Sequence, residues 1–303
     1  METDFPVIDF HAHLRGERSP SLPDVTGGVY IKELADLMEP LTRQVASLCG
    51  IHFRDPFSRF LTRSIHHYAY HEITRVIEKY TVDSLLDSMA KNGIVHSVVC
   101  PMEPFFGTED VAKAIAPYRD RFSLFVGADP RQPDAVEAIE GQLRSVRAAG
   151  IKLNAARAGS AAEERRLWEI LGLARDKDLP VFLHAGAFPF EAQDQGSPAK
   201  LESIVAAFPH LSFTVAHIGW DQFPAILALA ERHYHLSVET SWQPPKVIRQ
   251  AVDKLGSHRV LLGSDFPLLQ QNVAIENARV ALSPSEFRVV AGKNAFRLLG
   301  VTV

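Results

Sequence analysis

The chain has 303 residues, of which 46% are hydrophobic and 22% are charged, and its formal net charge is −4. This balance is typical of a globular protein with a sizeable core, and it lacks the excess of positive charge typical of nucleic-acid-binding proteins. No apolar run is long enough to cross a bilayer, and Cys49 and Cys100 do not form a Cys-x-x-Cys pair. We therefore expect a single cytoplasmic domain over residues 1–303 that acts on a small molecule, with neither nucleic acid nor membrane as a partner.

A pair of histidines closes the first predicted strand. The apolar run from Phe5 to Phe10 leads into His11 and His13, and side chains at positions i and i+2 of a strand share a face. Both imidazoles could therefore bind the same metal ion. A His-x-His pair alone is more often structural than metal-binding, so this prediction depends on the rest of the chain.

The rest of the chain alternates between short apolar strands and helices. Residues 14–80 are expected to form a mostly helical insertion after strand 1. Further strands are predicted at residues 94–101, 121–127, 151–154, 180–186, 211–217, 235–240 and 259–265, and helices at residues 81–92, 133–149, 161–177, 198–208, 222–232, 244–255 and 284–299. This alternation predicts an α/β protein with a (β/α)8 TIM barrel. A doubly wound open sheet is less favoured, because a glycine-rich phosphate turn does not follow strand 1.

Polar residues stand at the ends of the predicted strands, where the active site of such a barrel lies. After the histidine pair they are Lys152, His184, His217, Glu239 and Asp265. Taken singly, His184 could be a hydrogen-bonded core histidine and Asp265 could cap a loop. Their common position favours a site in which three histidines and an aspartate hold one divalent ion. Zinc is preferred, with manganese, iron or cobalt as alternatives.

Three further residues are candidates for substrate binding. Lys152 could be a carbamylated lysine that bridges two metals, a cation that binds substrate, or the partner of a buried carboxylate. Glu239 could be that carboxylate, or it could accept a hydrogen bond from a histidine. Arg54 could meet an anionic substrate if the insertion covers the barrel mouth. Trp242 is one of several aromatic residues that could line an apolar pocket.

Several motifs together resemble the amidohydrolase superfamily, in the amidohydrolase-related branch that includes aminocarboxymuconate semialdehyde decarboxylase and several TIM-barrel lactonases. They span nearly the whole chain in order. The motifs are Ile8-Asp-Phe-His-Ala-His13, Gly150-Ile-Lys-Leu153, Val181-Phe-Leu-His-Ala-Gly186, Val215-Ala-His-Ile-Gly219 and Leu262-Gly-Ser-Asp-Phe-Pro267.

The resemblance implies a metal-dependent hydrolase. His11, His13, His184 and Asp265 would hold a single divalent ion, and His217 would lie beside the activated water or the substrate. Asp265 and His217 would then be the catalytic residues in attack on a small carboxylic ester, lactone or amide. Three alternatives are considered. They are non-oxidative decarboxylation of a small aromatic or dienoic acid at the same site, a lactonase that works without metal, and a non-catalytic binding protein, which the four intact ligand positions argue against. A homodimer is also compatible with the resemblance.

Overall fold

A computed structural model describes residues 5–15, 80–102, 107–155, 160–186 and 198–300. Its eight strands form one sheet in chain order, and each strand is parallel to the next. The strands are β1 (Val7–Ala12), β2 (Ile94–Val99), β3 (Phe122–Gly127), β4 (Ala148–Leu153), β5 (Val181–Leu183), β6 (Phe213–Val215), β7 (Leu236–Glu239) and β8 (Val260–Leu261).

The segment after β8 returns to β1 and nearly closes the cylinder. The backbone N–H of Phe10 donates to the carbonyl of Leu262 at 2.8 Å, and the N–H of Asp265 donates to the carbonyl of His11 at 2.7 Å. Ala12 and Phe266 add an isolated parallel bridge. These bonds confirm the predicted (β/α)8 barrel, and they hold the end of β1 beside the residues that follow β8.

Within the described ranges, the helices lie between the strands and after β8. They are α1 (Val82–Asn92), α2 (Thr108–Ile115), α3 (Ala135–Ser145), α4 (Ala161–Asp176), α5 (Pro198–Ala207), α6 (Phe223–Arg232), α7 (Pro245–Leu255), α8 (Gln271–Ala281), α9 (Pro284–Arg288) and α10 (Asn294–Leu299). Local sequence determines where several of these helices begin or end. Ser160 and Glu163 form a reciprocal capping box at the start of α4, and Gly93 ends α1 in the left-handed conformation, with φ of 66°.

The structure differs from the predicted elements in three ways. The helix predicted over residues 133–149 ends at Ser145, because Ala148 pairs with Leu124 and begins β4. The helix predicted over residues 284–299 is divided by a π-helical turn, Val289–Lys293. In that turn Gly292 packs against the carbonyl of Pro6, where a Cβ would come within 2.5 Å of the oxygen. Helices α2 and α8 were not predicted, and most of the predicted insertion, residues 16–79, lies outside the described residues.

The core has two layers. One lies between the strands and the surrounding helices, and the other fills the inside of the barrel with Ile8, Val98 and three phenylalanines. The rings of Phe125 and Phe182 meet the ring of Phe10 edge-on, at centroid distances of 5.7 and 5.5 Å. This aromatic packing lies directly below the polar strand ends. None of the helices in the described part of the chain is long and apolar enough to span a bilayer.

Gly150 is required by this aromatic packing. A Cβ at position 150 would lie 2.5 Å from atoms of the buried Phe125 ring. We therefore expect Gly150→Ala to lower the free energy of unfolding by about 1–3 kcal/mol through overpacking. The matched control is Gly141→Ala, because Gly141 is within α3 and a Cβ there meets nothing within 4 Å. That variant should be neutral or stabilising by up to about 1 kcal/mol. Urea unfolding of both variants measures the difference, and equal stabilities would contradict this assignment.

Candidate metal centre

Three side chains converge at the carboxyl end of β1. The Nε2 atoms of His11 and His13 are 3.1 Å apart. The Oδ1 atom of Asp265 lies 3.4 Å from Nε2 of His11 and 3.1 Å from Nε2 of His13. All three residues are buried, with exposed fractions of 1%, 6% and 2%. Two nitrogens and one oxygen from opposite ends of the sequence therefore surround a single point.

The opposite ring nitrogens of the two histidines are already engaged. Nδ1 of His11 lies 3.2 Å from Oε2 of Glu239, and Nδ1 of His13 lies 2.7 Å from the carbonyl oxygen of Cys100. A carboxylate and a carbonyl can only accept hydrogen bonds, so each Nδ1 carries the proton and each Nε2 keeps its lone pair. Two lone pairs and a carboxylate oxygen repel one another unless a cation lies between them. Imidazole nitrogens with one carboxylate are a typical donor set for zinc and similar divalent ions, so these residues fit a metal.

Glu239 holds His11 in place from behind. This carboxylate at the end of β7 is fully buried. Besides His11, it accepts hydrogen bonds from the Ser241 hydroxyl at 2.8 Å, from the Ser241 N–H, and from the His217 N–H at 3.2 Å. Burial raises the pKa of Glu239, and the groups around it, His217 first, act in the opposite direction. Of the roles considered for Glu239, the structure shows the acceptor for a histidine.

His217 follows β6 in a strained turn. The strand ends at Val215 rather than at residue 217, and the next residues form the segment Ala216–Gln222. Within it, His217 and Ile218 have φ of 57° and 48°, in the left-handed region that non-glycine residues avoid. The side-chain amide of Gln243 donates to the carbonyls of His217 and Trp220 and holds the turn. Such strain concentrates at functional sites.

The His217 ring lies beside the rings of His11 and His184 and is neutral. Its centroid is 5.2 Å from the ring of His11 and 5.2 Å from the ring of His184. Nδ1 of His217 lies 2.6 Å from the Ser241 hydroxyl. Burial lowers the pKa of His217 to about 3, against the attraction of the nearby carboxylates. Burial likewise holds the pKa of His11 well below its usual value.

His184 lies at the site but apart from the convergent atoms. It directly follows β5, is buried, and stacks edge-on against His217. Among the described residues, two groups bring their potential ligand atoms within 4.8 Å of one another. These are His11 with His13 and Asp265, and His11 with His217 and Glu239. His184 is in neither group, so its role as a metal ligand stays a prediction.

The candidates for substrate binding have different surroundings. Nζ of Lys152 lies 4.7 Å from the centre of the Phe182 ring, and that ring is 4.8 Å from the ring of His11. Lys152 is therefore near the floor of the site. Trp242 is buried and donates its indole N–H to Oδ2 of Asp265 at 2.7 Å. Arg54 lies outside the described residues.

The sequence analysis missed Asp9, which fixes the segment that carries Asp265. Oδ2 of Asp9 accepts hydrogen bonds from the Ser264 hydroxyl at 2.6 Å and from Gln271 at 2.7 Å. Oδ1 accepts from the N–H of Ser264 at 2.8 Å and from the N–H of His11 at 3.2 Å. Burial raises the pKa of Asp9 to about 6, although these hydrogen bonds lower it. A charged residue within the apolar run of β1 was the available signal. The sequence around Ser241 and Gln243 contains no comparable signal, since polar residues are common after a strand.

This protein is therefore a TIM barrel whose buried donor set forms a candidate metal centre at the carboxyl ends of the strands. The chain belongs to the amidohydrolase family, whose sequence profile, described as Amidohydrolase, matches residues 74–301. The match begins after the His11 and His13 pair. No curated protein matches the chain.

Solved structures share the fold at low sequence identity. An uncharacterized TIM-barrel protein from Bordetella bronchiseptica is 19% identical, with a TM-score of 0.70 over 98% of this chain and 99% of that one. A 5-carboxyvanillate decarboxylase from Sphingomonas paucimobilis is 15% identical, with a TM-score of 0.64 over 99% and 100%. A probable 2-pyrone-4,6-dicarboxylic acid hydrolase from Acinetobacter baumannii is 16% identical, with a TM-score of 0.58 over 98% and 100%. These likenesses support the fold, and the family match identifies the chain as an enzyme of the amidohydrolase superfamily.

Proposed function

We propose that this protein is a divalent-metal-dependent hydrolase of a small carboxylic ester, lactone or amide, with zinc as the working ion. One observation carries the proposal: Nε2 of His11, Nε2 of His13 and Oδ1 of Asp265 lie within 3.1–3.4 Å of one another with no proton available between the imidazoles. His184 is proposed as the fourth ligand, since it is buried beside His217 at the next polar strand end. Structures of fold relatives hold zinc or manganese.

A divalent ion bound here would polarise a carbonyl and lower the pKa of water to about 7. The protein supplies orientation and proton transfer. The hydroxyl of Ser241 donates its hydrogen to Glu239, so its oxygen accepts the Nδ1–H of His217. Nε2 of His217 then keeps a lone pair, which suits it to take a proton from the attacking water. This assignment favours proton transfer over oxyanion stabilisation as the role of His217.

Asp265 is proposed as both ligand and catalytic residue. Its Oδ1 atom faces the two imidazoles and its Oδ2 atom accepts the indole N–H of Trp242. Oδ1 is therefore the oxygen that would bind the ion and orient the water beside it. Trp242 also forms part of an aromatic wall with Trp220, where a substrate with a flat apolar body could pack. Arg54 stays a proposed contact for an anionic substrate.

Lys152 is proposed to bind a carboxylate of the substrate. Its ammonium lies over Phe182, next to His11. Lys152→Met, which keeps most of the stem, should raise the KM of an acidic substrate by about 10- to 100-fold, because a charged hydrogen bond is lost. A neutral ester or lactone is the matched control and should keep its KM. Metal content should also stay unchanged. Loss of metal in this variant would instead indicate a carbamylated lysine that bridges two ions.

Decarboxylation is the second candidate function. The ammonium of Lys152, near the proposed metal centre, could hold the carboxylate of an aromatic acid. The bond between the ring and the carboxylate would then break, carbon dioxide would leave, and a proton would replace it on the ring carbon. Fold relatives include decarboxylases of 5-carboxyvanillate and 2,6-dihydroxybenzoate. The position of Lys152 favours this alternative as much as hydrolysis of an acidic lactone.

A product assay separates the two reactions. Zinc- and manganese-loaded protein is incubated with 2-pyrone-4,6-dicarboxylate, with simple lactones, and with 5-carboxyvanillate and 2,6-dihydroxybenzoate. Hydrolysis opens the lactone and releases a proton without gas, whereas decarboxylation releases labelled carbon dioxide. Turnover that is lost on chelation and restored by zinc supports the proposal. Turnover that survives complete removal of metal would contradict it.

We also propose the cellular setting and assembly of this enzyme. A single domain over residues 1–303 with one ion per chain agrees with the barrel and its donor set. A cytoplasmic location agrees with the buried free thiol of Cys100. A homodimer is proposed, and light scattering of the purified protein tests it.

A further inference from the structure

The two oxygens of Asp265 have different surroundings. Oδ1 faces the Nε2 atoms of His11 and His13, at 3.4 and 3.1 Å. Oδ2 points away from them and accepts the indole N–H of Trp242 at 2.7 Å. Asp265 itself has φ of 64°, so neighbouring structure must hold its backbone in this conformation. A carboxylate on such a residue has two candidate oxygens for a metal, and the indole occupies one of them.

Trp242 is held rigidly in the position that makes this bond. Its residue is only 8% exposed and, like Asp265, has a left-handed backbone, with φ of 62°. The indole stacks on Trp220 at a centroid distance of 5.5 Å and an angle of 22°, and both pack with Leu269. The other side of the stack contacts His217, because the ring of Trp220 is 4.8 Å from the ring of His217. The two stacked indoles therefore connect His217, through Trp220, with Asp265, through Trp242.

We propose that Trp242 is a positioning residue for the metal centre, whose indole N–H fixes the carboxylate of Asp265 so that Oδ1 alone is presented to the ion. This inference rests on the proposed metal-dependent function. It gives Trp242 a role distinct from lining a substrate pocket. Without the N–H, the carboxylate could rotate and offer either oxygen, and the ion would lose a preorganised ligand. Partners of metal ligands typically change metal affinity by about 10- to 100-fold when they are removed.

The three tryptophans of the chain provide a matched set of variants. Trp242→Phe removes the N–H and keeps an aromatic ring beside Trp220. Trp220→Phe shortens the same stack without touching the bond to Asp265. Trp168→Phe, at a residue that is 40% exposed on α4, controls for loss of an indole elsewhere. If Trp242→Phe does not fold, 3-benzothienylalanine at position 242 keeps the shape of the indole and removes only the N–H.

The first measurement is zinc affinity, obtained by competition with a chromophoric chelator on the metal-stripped full chain. We expect the dissociation constant to rise by about tenfold or more in Trp242→Phe and to change by less than about threefold in Trp220→Phe and Trp168→Phe. Equal affinity in Trp242→Phe and the wild type would overturn the inference while leaving the metal-dependent function intact. An equal loss in Trp220→Phe would also overturn it, because the stack rather than the hydrogen bond would then be responsible.

The second measurement is the indole N–H resonance in nitrogen-15 spectra, which does not require activity. Each tryptophan variant lacks the indole N–H signal of the residue that was replaced, and this missing signal assigns the resonance in the wild-type spectrum. The Trp242 signal should move when zinc is added, and it should move in metal-free Asp265→Asn, whereas the Trp168 signal should do neither. If the wild type binds no zinc, the proposed function fails, and the response of this signal to Asp265→Asn still decides whether the hydrogen bond exists.

Discussion

Asp265→Asn is expected to abolish turnover while the barrel stays folded. The amide loses the charge that an ion requires, and we expect kcat/KM to fall by at least about a hundredfold, since even indirect metal contacts reach that size. Folding should survive because the new side chain can satisfy the site. Its oxygen can accept the Trp242 indole N–H, and its NH2 can donate to the imidazole lone pairs of His11 and His13.

The controls for Asp265→Asn separate chemistry from stability. Asp253→Asn makes the same change at an exposed carboxylate on α7, which pairs only with Arg249 among the ion pairs of the described chain. It should leave kcat/KM unchanged. Circular dichroism should show a cooperative melt for both variants, and zinc affinity should fall only in Asp265→Asn. Activity in Asp265→Asn equal to the wild type would remove this residue from both of its proposed roles.

His217→Gln is expected to lower kcat by about 100- to 10,000-fold, the range for loss of a general acid or base. The new side chain can still meet the Ser241 hydroxyl, but it offers no basic nitrogen toward the ion. Zinc affinity should change little, because the atoms that meet at 3.1–3.4 Å belong to His11, His13 and Asp265. Steady-state kinetics on the substrate found by the product assay, together with a zinc titration, measure both quantities.

The matched control for this change is His210→Gln, which replaces an exposed histidine after α5. Its kcat should equal that of the wild type. If His217→Gln instead released the metal with little direct effect on kcat at saturating zinc, His217 would be a ligand, as its closeness to His11 and Glu239 allows. That result would contradict the proton-transfer role.

Hydrophobic patterning was sufficient for the barrel and for the positions of the polar strand ends. Strands buried on both faces are short, apolar and β-branched, so all eight strands were recognisable, and the histidines and Asp265 stood out as polar residues beside apolar runs. The boundary between α3 and β4 was less visible. Ala148 and Gly150 have little strand preference, and their place in the sheet follows from pairing with β3 and from contact with Phe125.

The hydrogen-bond network that supports the site could not be predicted from hydrophobic patterning. Glu239 accepts from His11, which is 228 positions away, and Asp9 accepts from Ser264, which is 255 positions away. Such pairs depend on how the barrel closes, and local sequence does not encode that closure. The same holds for Trp242, where an aromatic residue in a loop suggested a pocket and the structure shows a hydrogen bond to Asp265. The left-handed turn at His217 also depends on Gln243, beyond the next strand.

The central claim is that His11, His13 and Asp265 hold one divalent ion together. X-ray absorption at the zinc edge, on protein stripped of metal and titrated with zinc, tests it most directly. We predict one zinc per chain with nitrogen and oxygen ligands at about 2.0–2.2 Å, and loss of this shell in Asp265→Asn. No stoichiometric zinc, or an identical shell in Asp265→Asn, would contradict the claim.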